Sequence, residues 1–230
     1  MRAALATGAA AASPTVVELF AEVYRLRLLT GLEDLLRQHG YCAVAGVDEA
    51  GRGALAGPVV AAAVVVHPGH LVPGVDDSKQ LSPGERERLA QAVKDAALAW
   101  AVAAVPPEVI DRVNILEATH QAMRQALLGL RPRPDCAVID AVGLRGLPFP
   151  ALPLIRGDSV SYAVASASIL AKVERDRQMT DLDREYPHYG FAVHKGYGVP
   201  GHLSALAAFG PSPVHRLTYR PVLPRREVVC

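Results

Sequence analysis

The chain has 230 residues, of which 50% are hydrophobic and 20% charged, an ordinary composition for a globular protein that buries one domain core with an appended piece. The net charge of +1 indicates that a nucleic-acid partner would be held by a local basic patch and by metal ions. The three scattered cysteines argue against a disulfide framework and a cysteine zinc site, and they favour a cytoplasmic protein. No run reaches the roughly 18 apolar residues of a membrane span.

The first 40 residues are interpreted as an N-terminal extension. Residues 1–14 are alanine-rich and lack the strong apolar centre of a signal peptide, which predicts a disordered tail. Residues 16–38 carry apolar side chains at helical spacing, interrupted by Gly31 and followed by Gly40, so one broken helix or two are predicted. The charges of this segment indicate a solvated face, and its role is expected to be structural.

The most informative stretch is a strand, a turn and a second strand within residues 44–66. An apolar run ends in two adjacent carboxylates, Asp48 and Glu49, followed by Gly51, Arg52 and Gly53. Carboxylates at the end of a buried strand are costly unless a positive group neutralises them, and glycines allow the backbone to approach a ligand closely. A polar hairpin turn would explain an isolated Asp-Glu pair, but the glycines and the arginine favour a binding site.

Helices and one strand are predicted between the second strand and residue 130. They are a helix over residues 83–98, a strand over 99–105, a short helical turn over 107–112 and a helix over 115–128. Ser82 begins a capping-box pattern before the first helix, and Asn114 caps the last one. Ser78 and Lys79 precede the first helix, and the residues alone indicate a solvated loop there.

Two further carboxylates follow predicted strands. Residues 134–140 form a turn and a short apolar strand that ends in Asp140, and residues 152–155 form a strand that is soon followed by Asp158. Open α/β sheets bind ligands at the carboxyl ends of their strands, so both aspartates are candidate site residues. A purely structural capping role is the alternative for each and stays open at this point.

The last third of the chain is predicted to be mainly helical. Residues 160–185 form one long helix, with small residues at its start for close packing on the sheet and basic residues further along, including Lys172. A loop rich in glycine and aromatic residues follows over 189–201, and a short helix is predicted over 202–209. The residues alone would assign Tyr197, in the loop, to packing, and the histidines lack the spacing of metal ligands.

Several of these segments are similar to ribonuclease HII, the type 2 ribonuclease H family. The matching stretches are residues 48–53 (Asp-Glu-Ala-Gly-Arg-Gly), 57–63, 77–79 (Asp-Ser-Lys), 110–116, 167–177, 194–198 and 213–216. Ala54 stands where the family usually has proline, and Val199 stands where it usually has threonine. The first of these positions shapes a turn and carries no chemistry, and the resemblance extends over nearly the whole chain beyond the N-terminal extension.

The resemblance implies an α/β fold, a ribonuclease H-like mixed sheet flanked by helices, with a small helical C-terminal segment. The order of the predicted elements fits this fold. We therefore expect an N-terminal tail and helical extension over residues 1–40, a catalytic domain over 41–186 and a C-terminal helical and loop segment that binds substrate over 187–230.

The same resemblance implies the chemistry. Asp48, Glu49, Asp140 and Asp158 are the implied catalytic residues and ligands of two Mg²⁺ or Mn²⁺ ions, the hard cations that suit carboxylate oxygens. The implied substrates are RNA–DNA hybrids and DNA containing ribonucleotides, cut 5′ of the ribonucleotide to leave a 3′-hydroxyl and a 5′-phosphate. The implied substrate contacts are Gly51, Arg52, Gly53, Ser78, Lys79, Asn114, Lys172 and Tyr197, with Tyr197 stacking at the RNA–DNA junction. We expect a monomer without a membrane partner.

Two other functions remain open from the sequence. A different ribonuclease H-like metal nuclease, such as a junction resolvase, would share the carboxylates but lack the Gly-Arg-Gly turn. A non-catalytic duplex-binding protein should have lost at least one carboxylate, and none of the four is missing.

Overall fold

A five-stranded mixed sheet forms the centre of the molecule in the computed structural model, which describes residues 15–140 and 143–222. The strands are β1 (Val44–Ala50), β2 (Val59–Val65), β3 (Ala99–Val105), β4 (Cys136–Asp140) and β5 (Ala151–Leu154). Their order in the sheet is β3-β2-β1-β4-β5. Because β1, β4 and β5 are parallel neighbours, while β2 is antiparallel to β1 and β3, the carboxyl ends of three strands lie at the same end of the sheet.

Helices flank this sheet within the described residues. They are α1 (Val16–Leu29), α2 (Gly31–Gln38), α3 (Pro83–Ala96), α4 (Pro107–Val113), α5 (Ile115–Gly129), α6 (Tyr162–Glu185), α7 (Phe191–His194) and α8 (Pro200–Phe209). Within the described residues, none of these helices has both the length and the apolar character needed to cross a bilayer.

Both faces of the sheet are covered, which is why β2 is buried along its whole length. On one face, Ile110 of α4 and Met123 and Leu127 of α5 pack against the strands. On the other face, Leu89 of α3 and Ile169 of α6 belong to a second apolar cluster. A central strand buried on both faces consists of nearly continuous apolar residues, as the sequence of β2 does.

At Gly46, α6 lies against β1 with no side chain between them. A Cβ at this position would lie 2.1 Å from the carbonyl carbon of Ala163, so only glycine fits. The small residues at the start of α6 permit the same close approach, as predicted. This contact brings the side chain of Ser168, two turns into α6, to the carboxyl end of β1.

The mixed α/β architecture predicted from the sequence is confirmed. The predicted break in the N-terminal helical segment occurs at Thr30, and Asn114 caps α5 by accepting a hydrogen bond from the N–H of Glu117 at 3.1 Å. The prediction for residues 1–14 lies outside the described residues.

Some predicted boundaries are wrong. The long helix begins at Tyr162 rather than at residue 160, because Ser161 is its N-cap and its hydroxyl accepts a hydrogen bond from the N–H of Val164 at 3.2 Å. Residues 191–194, predicted as loop, form the short helix α7, and the last helix begins at Pro200. Proline is favoured in the first turn of a helix because it has no N–H to leave unpaired.

The prediction of a solvated charged face on the N-terminal helices is also wrong at one position. Glu33 of α2 is 0% exposed. Leu32 and Leu36 of the same helix pack on an apolar cluster of β1, β4 and α6, and this docking turns Glu33 toward the first residues of α6.

Candidate active site

Four carboxylates converge at the end of the sheet where the parallel strands terminate. Asp48 and Glu49 are among the last residues of β1, and Asp140 is the last residue of β4. Asp158 lies in a short 3₁₀ turn after β5, and it does not cap the following helix. Since β1, β4 and β5 are adjacent, the fold brings together all four carboxylates that the sequence singled out.

Burial and mutual repulsion shape the electrostatics of this cluster. Asp48 is 5% exposed, and burial, together with Glu49 and Asp140, raises its pKa well above the usual value, while a hydrogen bond with Ser168 works in the opposite direction. Burial also raises the pKa of Glu49, against the influence of Arg52. Carboxylates that repel one another out of water are stabilised in their charged form by a nearby cation.

The 3₁₀ turn after β5 is tied to Asp140. The N–H of Gly157 donates a hydrogen bond to Asp140 Oδ1 at 2.7 Å. Burial raises the pKa of Asp140, this hydrogen bond lowers it, and Asp158 raises it further. The backbone of the turn therefore fixes the distance between two of the four carboxylates.

Two cationic side chains reach the cluster. Arg52 Nη1 lies 3.2 Å from Glu49 Oε1, and Lys79 Nζ lies 3.5 Å from Asp158 Oδ2. Burial tends to lower the pKa of Lys79, but the neighbouring carboxylates outweigh it and the pKa is raised. The side chain of Lys79 is 76% exposed, so it can move without disturbing the core.

The donor set fits a hard divalent cation. Within residues 15–140 and 143–222, no three His, Cys, Asp or Glu side chains are arranged to hold a metal ion together as they stand. However, Glu49 Oε2 is buried and has no hydrogen-bond partner in the described part of the chain. The neighbouring Asp48 is also buried, which disfavours its charged form. A buried carboxylate oxygen without a partner is costly, and Mg²⁺ or Mn²⁺ prefers such oxygen ligands.

Two buried arginines donate hydrogen bonds to the backbone of the loop between β1 and β2, which contains the Gly-Arg-Gly turn. Arg175 donates from Nε to Pro58 O at 3.1 Å and from Nη2 to Ala56 O at 3.2 Å. Arg216 donates from Nε to Gly57 O at 3.0 Å and from Nη1 to Arg52 O at 2.9 Å. These bonds direct the carbonyl groups of the loop inward.

The N–H groups of the same turn are left free for a ligand. Within the described residues, the N–H groups of Arg52 and Gly53 make no hydrogen bond. Gly53 is also open on its side-chain face, since a Cβ there would approach only Tyr197 Cε1, at 4.0 Å. The turn therefore presents backbone donors beside the carboxylates.

Tyr197 lies next to this turn and is 37% exposed. The guanidinium carbon of Arg175 is 5.4 Å from the centre of its ring, a cation–π geometry. The adjacent Gly196 accepts a hydrogen bond from the N–H of Leu55 at 2.8 Å. One face of the aromatic ring is thus supported by a buried arginine, which leaves the ring positioned for stacking.

Two buried histidines hold the backbone of Tyr197. Ser212 N–H donates to His215 Nδ1 at 2.9 Å, so the proton of the neutral ring is on Nε2. His215 Nε2 then donates to His202 Nε2 at 3.0 Å, and His202 Nδ1 donates to Tyr197 O at 3.0 Å. Burial lowers the pKa of His202 and lowers that of His215 to about 4, which favours the neutral form of both rings.

Three other predicted contact residues have structural partners. Ser78 is 4% exposed and its hydroxyl lies 2.9 Å from that of Ser168, so its side chain is not in a solvated loop. Asn114 uses its side chain to cap α5. Lys172 pairs with Asp176 at 2.6 Å and lines a groove of about 710 Å³ between α3, α6 and α7.

The sequence interpretation did not identify the supporting residues of the site. Arg175, Arg216 and His215 lie within the matching stretches 167–177 and 213–216, but charged and polar residues usually indicate exposed positions. Ser168 lies between alanine and isoleucine, which predicted packing alone. For all four residues, the sequence signal that could have indicated a role in the site was their position within a stretch that matches the family.

Comparison with known proteins identifies the relatives of this chain. The family model for ribonuclease HII matches residues 45–222. Ribonuclease HII of Ruminiclostridium cellulolyticum is 50% identical over 198 residues, which cover 86% of this chain and 78% of the relative. Ribonuclease HII of Chloroflexus aurantiacus is 52% identical over 197 residues, covering 84% and 93%.

Solved structures agree with these relatives. Ribonuclease H2 from Pyrococcus horikoshii superimposes with a TM-score of 0.67 at 31% identity, over 78% of this chain and 94% of that chain. The ribonuclease HII of Archaeoglobus fulgidus, solved in complex with PCNA, gives 0.65 at 29% identity, over 77% and 95%. The predicted ribonuclease H-like sheet is therefore confirmed.

Proposed function

This chain belongs to the ribonuclease HII family, a family of metal-dependent endoribonucleases, and from that premise we propose its substrates and its catalytic residues. The proposed substrates are RNA–DNA hybrids and DNA duplexes that contain a single ribonucleotide. Cleavage takes place 5′ of the ribonucleotide and leaves a 3′-hydroxyl and a 5′-phosphate.

The convergence of four carboxylates at one end of the sheet is the observation that carries this proposal. Asp48, Glu49, Asp140 and Asp158 would together hold two Mg²⁺ or Mn²⁺ ions. Ions held by these residues would supply activation of a water molecule and stabilisation of the leaving oxygen of a phosphodiester. The raised pKa of Asp48 and the unpaired buried oxygen of Glu49, within the described chain, support a site that is complete only with bound cations.

The Gly-Arg-Gly turn and Tyr197 supply the proposed recognition of the ribonucleotide. The 2′-hydroxyl is the group that distinguishes RNA from DNA at such a position. The free N–H groups at Arg52 and Gly53 can donate to it, while the ring of Tyr197 stacks on the adjoining sugar or base. Both features lie within one loop cluster fixed by Arg175, which supports a common role.

The proposed phosphate contacts differ in how directly their side chains can act. Lys79 is exposed and already faces a carboxylate of the site, so it can bind a phosphate near the scissile bond. Lys172 can do so only by leaving Asp176. Ser78 and Asn114 have side chains engaged within the protein, so their contacts would use backbone groups. We propose that the enzyme acts as a monomer.

Cleavage of three matched duplexes tests the proposal: all-DNA, DNA with one ribonucleotide, and a hybrid with one all-RNA strand. We expect Mn²⁺- or Mg²⁺-dependent cutting of the second and third duplexes and none of the first, with the new ends mapped on a sequencing gel. Cutting of branched all-DNA junctions instead would indicate a resolvase. Binding without cutting at any metal concentration would indicate a non-catalytic duplex-binding protein.

A further inference from the structure

The N-terminal helices α1 and α2 contact the two segments that carry Lys79 and Asp158. Both helices precede residue 45, where the match to the ribonuclease HII family model begins. Their buried apolar residues explain how they attach to the domain: Leu26 and Leu29 join the cluster of α3 and α6, and Leu32 packs beside β1. Their polar side chains contact segments that carry proposed active-site residues.

Glu33 of α2 forms the first of these contacts. It is 0% exposed, and its Oε1 accepts hydrogen bonds from Ser161 Oγ at 2.6 Å and from the N–H of Ala163 at 2.9 Å. Both donors lie at the N-terminal end of α6, Ser161 as its N-cap and Ala163 in its first turn, where a carboxylate interacts favourably with the helix dipole. Glu33 therefore acts as a second, remote cap for the helix that follows Asp158.

Hydrogen bonds continue from this cap into the carboxylate cluster. The N–H of Ser161 donates to Gly157 O at 2.9 Å, and the N–H of Gly157 donates to Asp140 Oδ1 at 2.7 Å. Asp158 lies within the turn that these bonds close. A connected path of hydrogen bonds thus links Glu33, through one backbone turn, to two proposed metal ligands.

Glu22 and Arg25 of α1 form the second contact, on the loop before Lys79. Glu22 Oε1 accepts a hydrogen bond from the N–H of Gly74 at 2.7 Å, and Arg25 Nη1 donates to Val75 O at 2.9 Å. Glu22 and Arg25 also pair with each other at 2.8 Å. They fix the backbone shortly before Lys79, whose ammonium group lies 3.5 Å from Asp158.

The packing of α1 and α2 on the domain does not by itself explain why the carboxylate of Glu33 is buried. Burying a carboxylate is unfavourable compared with burying an apolar side chain of similar size, and the apolar residues of the two helices already supply the packing. Oε2 of Glu33 has no hydrogen-bond partner in the described part of the chain, so the polar contacts of this side chain are made through Oε1.

We propose that α1 and α2 position the active site, with Glu33 setting the place of Asp158 and Asp140 through the start of α6, and with Glu22 and Arg25 setting the loop of Lys79. This inference rests on the proposed metal ligands. Glu33, Glu22 and Arg25 touch neither the substrate nor the metal, so they are positioning residues.

The affinity for Mn²⁺ without substrate, measured by calorimetry on the full chain, tests the role of Glu33. Removing a residue that orients metal ligands typically weakens metal binding by about 10–100-fold, so Glu33→Ala should raise the Kd of Mn²⁺ at least about tenfold. Glu33→Gln keeps the acceptor oxygen and should remain close to wild type. Asp34→Ala is the matched control on the same helix, since Asp34 pairs with Arg37 and Thr30.

Loss of stability alone must be distinguished from loss of positioning. Leu127→Ala in the core on the opposite face of the sheet destabilises the protein without touching this path, and it should leave the Kd of Mn²⁺ unchanged at a temperature where the variant is folded. An unchanged Kd in Glu33→Ala, or an equal rise in Leu127→Ala, would overturn the proposal. A wild type that binds Mn²⁺ but cuts no duplex would contradict the proposed function alone.

Glu22→Ala provides the test if Glu33→Ala does not fold. Glu22 is partly exposed on α1. Its loss should release the loop before Lys79 and raise KM for the duplex by about threefold or more, because a hydrogen bond between charged groups contributes to binding, with the Kd of Mn²⁺ unchanged. Glu18→Ala is its control, because the side-chain hydrogen bonds of Glu18 among the described residues go only to Thr15, the N-cap of the same helix. Equal KM values for the two variants would overturn the proposal.

Discussion

Arg175 lies so close to the backbone of Gly51 that a Cβ added to Gly51 would be 1.9 Å from Arg175 Nε. Arg175 is 0% exposed, and its hydrogen bonds to Ala56 and Pro58 tie α6 to the loop between β1 and β2. The Gly-Arg-Gly turn therefore rests directly on a buried guanidinium, and the same guanidinium supports the ring of Tyr197.

Gly51→Ala should disrupt this arrangement. Gly51 has a φ of +96°, which a residue with a Cβ adopts only under strain, and the added methyl group would collide with Arg175. Backbone strain and overpacking together should lower the free energy of unfolding by about 2–4 kcal/mol, measured by urea denaturation. Gly53→Ala is the matched control, because its Cβ meets nothing closer than 4.0 Å. Equal losses in the two variants would contradict the role of Arg175 beneath the turn.

Asp48→Asn should abolish cleavage without destabilising the metal-free protein. Burial and two neighbouring carboxylates raise the pKa of Asp48, so its charge is unfavourable in the absence of metal. An amide of the same shape can still accept the hydrogen bond from the N–H of Glu49. Cleavage rates and thermal melts check this, with Asp95→Asn on the exposed surface of α3 as the control. A lower melting temperature in Asp48→Asn alone would contradict the expected repulsion.

Because the pKa of Asp48 is raised, metal binding in the wild type should compete with protonation of this carboxylate. The affinity for Mn²⁺ should therefore increase with pH over the range in which Asp48 titrates, and the increase should be shallower in Asp48→Asn. Calorimetry at several pH values measures both slopes, and parallel slopes would assign the proton to another group.

His215 should make the stability of the fold sensitive to acid. Burial lowers its pKa to about 4, whereas an unfolded histidine titrates near its usual value of about 6.5. Between these values the unfolded state binds the proton and the folded state does not, so stability falls as the pH decreases. The full loss below the folded pKa is about 3 kcal/mol.

The difference between wild type and His215→Gln isolates this contribution. The pKa values of Asp48, Glu49 and Asp140 are raised, so these carboxylates act in the opposite direction, but equally in both proteins. Urea denaturation at several pH values from about 7 to about 4, the range in which His215 titrates, should show a smaller loss of stability for His215→Gln than for wild type. Identical pH slopes would show that the hydrogen-bonded histidine pair does not exclude the proton.

The parts of the fold that were predicted from the sequence are those whose causes are local. Asn114 capped α5 as expected because the cap and its donor are three residues apart, and Asp48 and Asp140 were predicted at strand ends because apolar runs stop there. Glu33 was not predicted, since its partner Ser161 is 128 residues away. Arg175 and His215 were missed for the same reason: residue type indicates exposure, whereas burial depends on distant partners.

Tyr197→Ala should lose most cleavage at a single embedded ribonucleotide, and Tyr197→Phe should retain much of it. The ring rests on the guanidinium of Arg175, 5.4 Å from its centre, and its exposed side can stack on a sugar or base. Such stacking contributes about 1–3 kcal/mol, whereas the phenolic hydroxyl adds one hydrogen bond of roughly 0.5–1.5 kcal/mol. Stacking should therefore dominate, and kcat/KM on the single-ribonucleotide duplex measures both losses.

Recognition of the 2′-hydroxyl by the turn should survive both substitutions, because the N–H groups of Arg52 and Gly53 belong to the backbone. Neither variant should begin to cut an all-DNA duplex, and a duplex with four ribonucleotides serves as a second substrate in the same assay. Trp100→Ala is a suitable control, since this exposed aromatic residue of β3 pairs with Val64, at the opposite end of the sheet from Asp48 and Glu49, and should not change kcat/KM. If Tyr197→Ala and Tyr197→Phe both cut like wild type, Tyr197 only packs against Arg175 and the recognition of the junction must come from the turn alone.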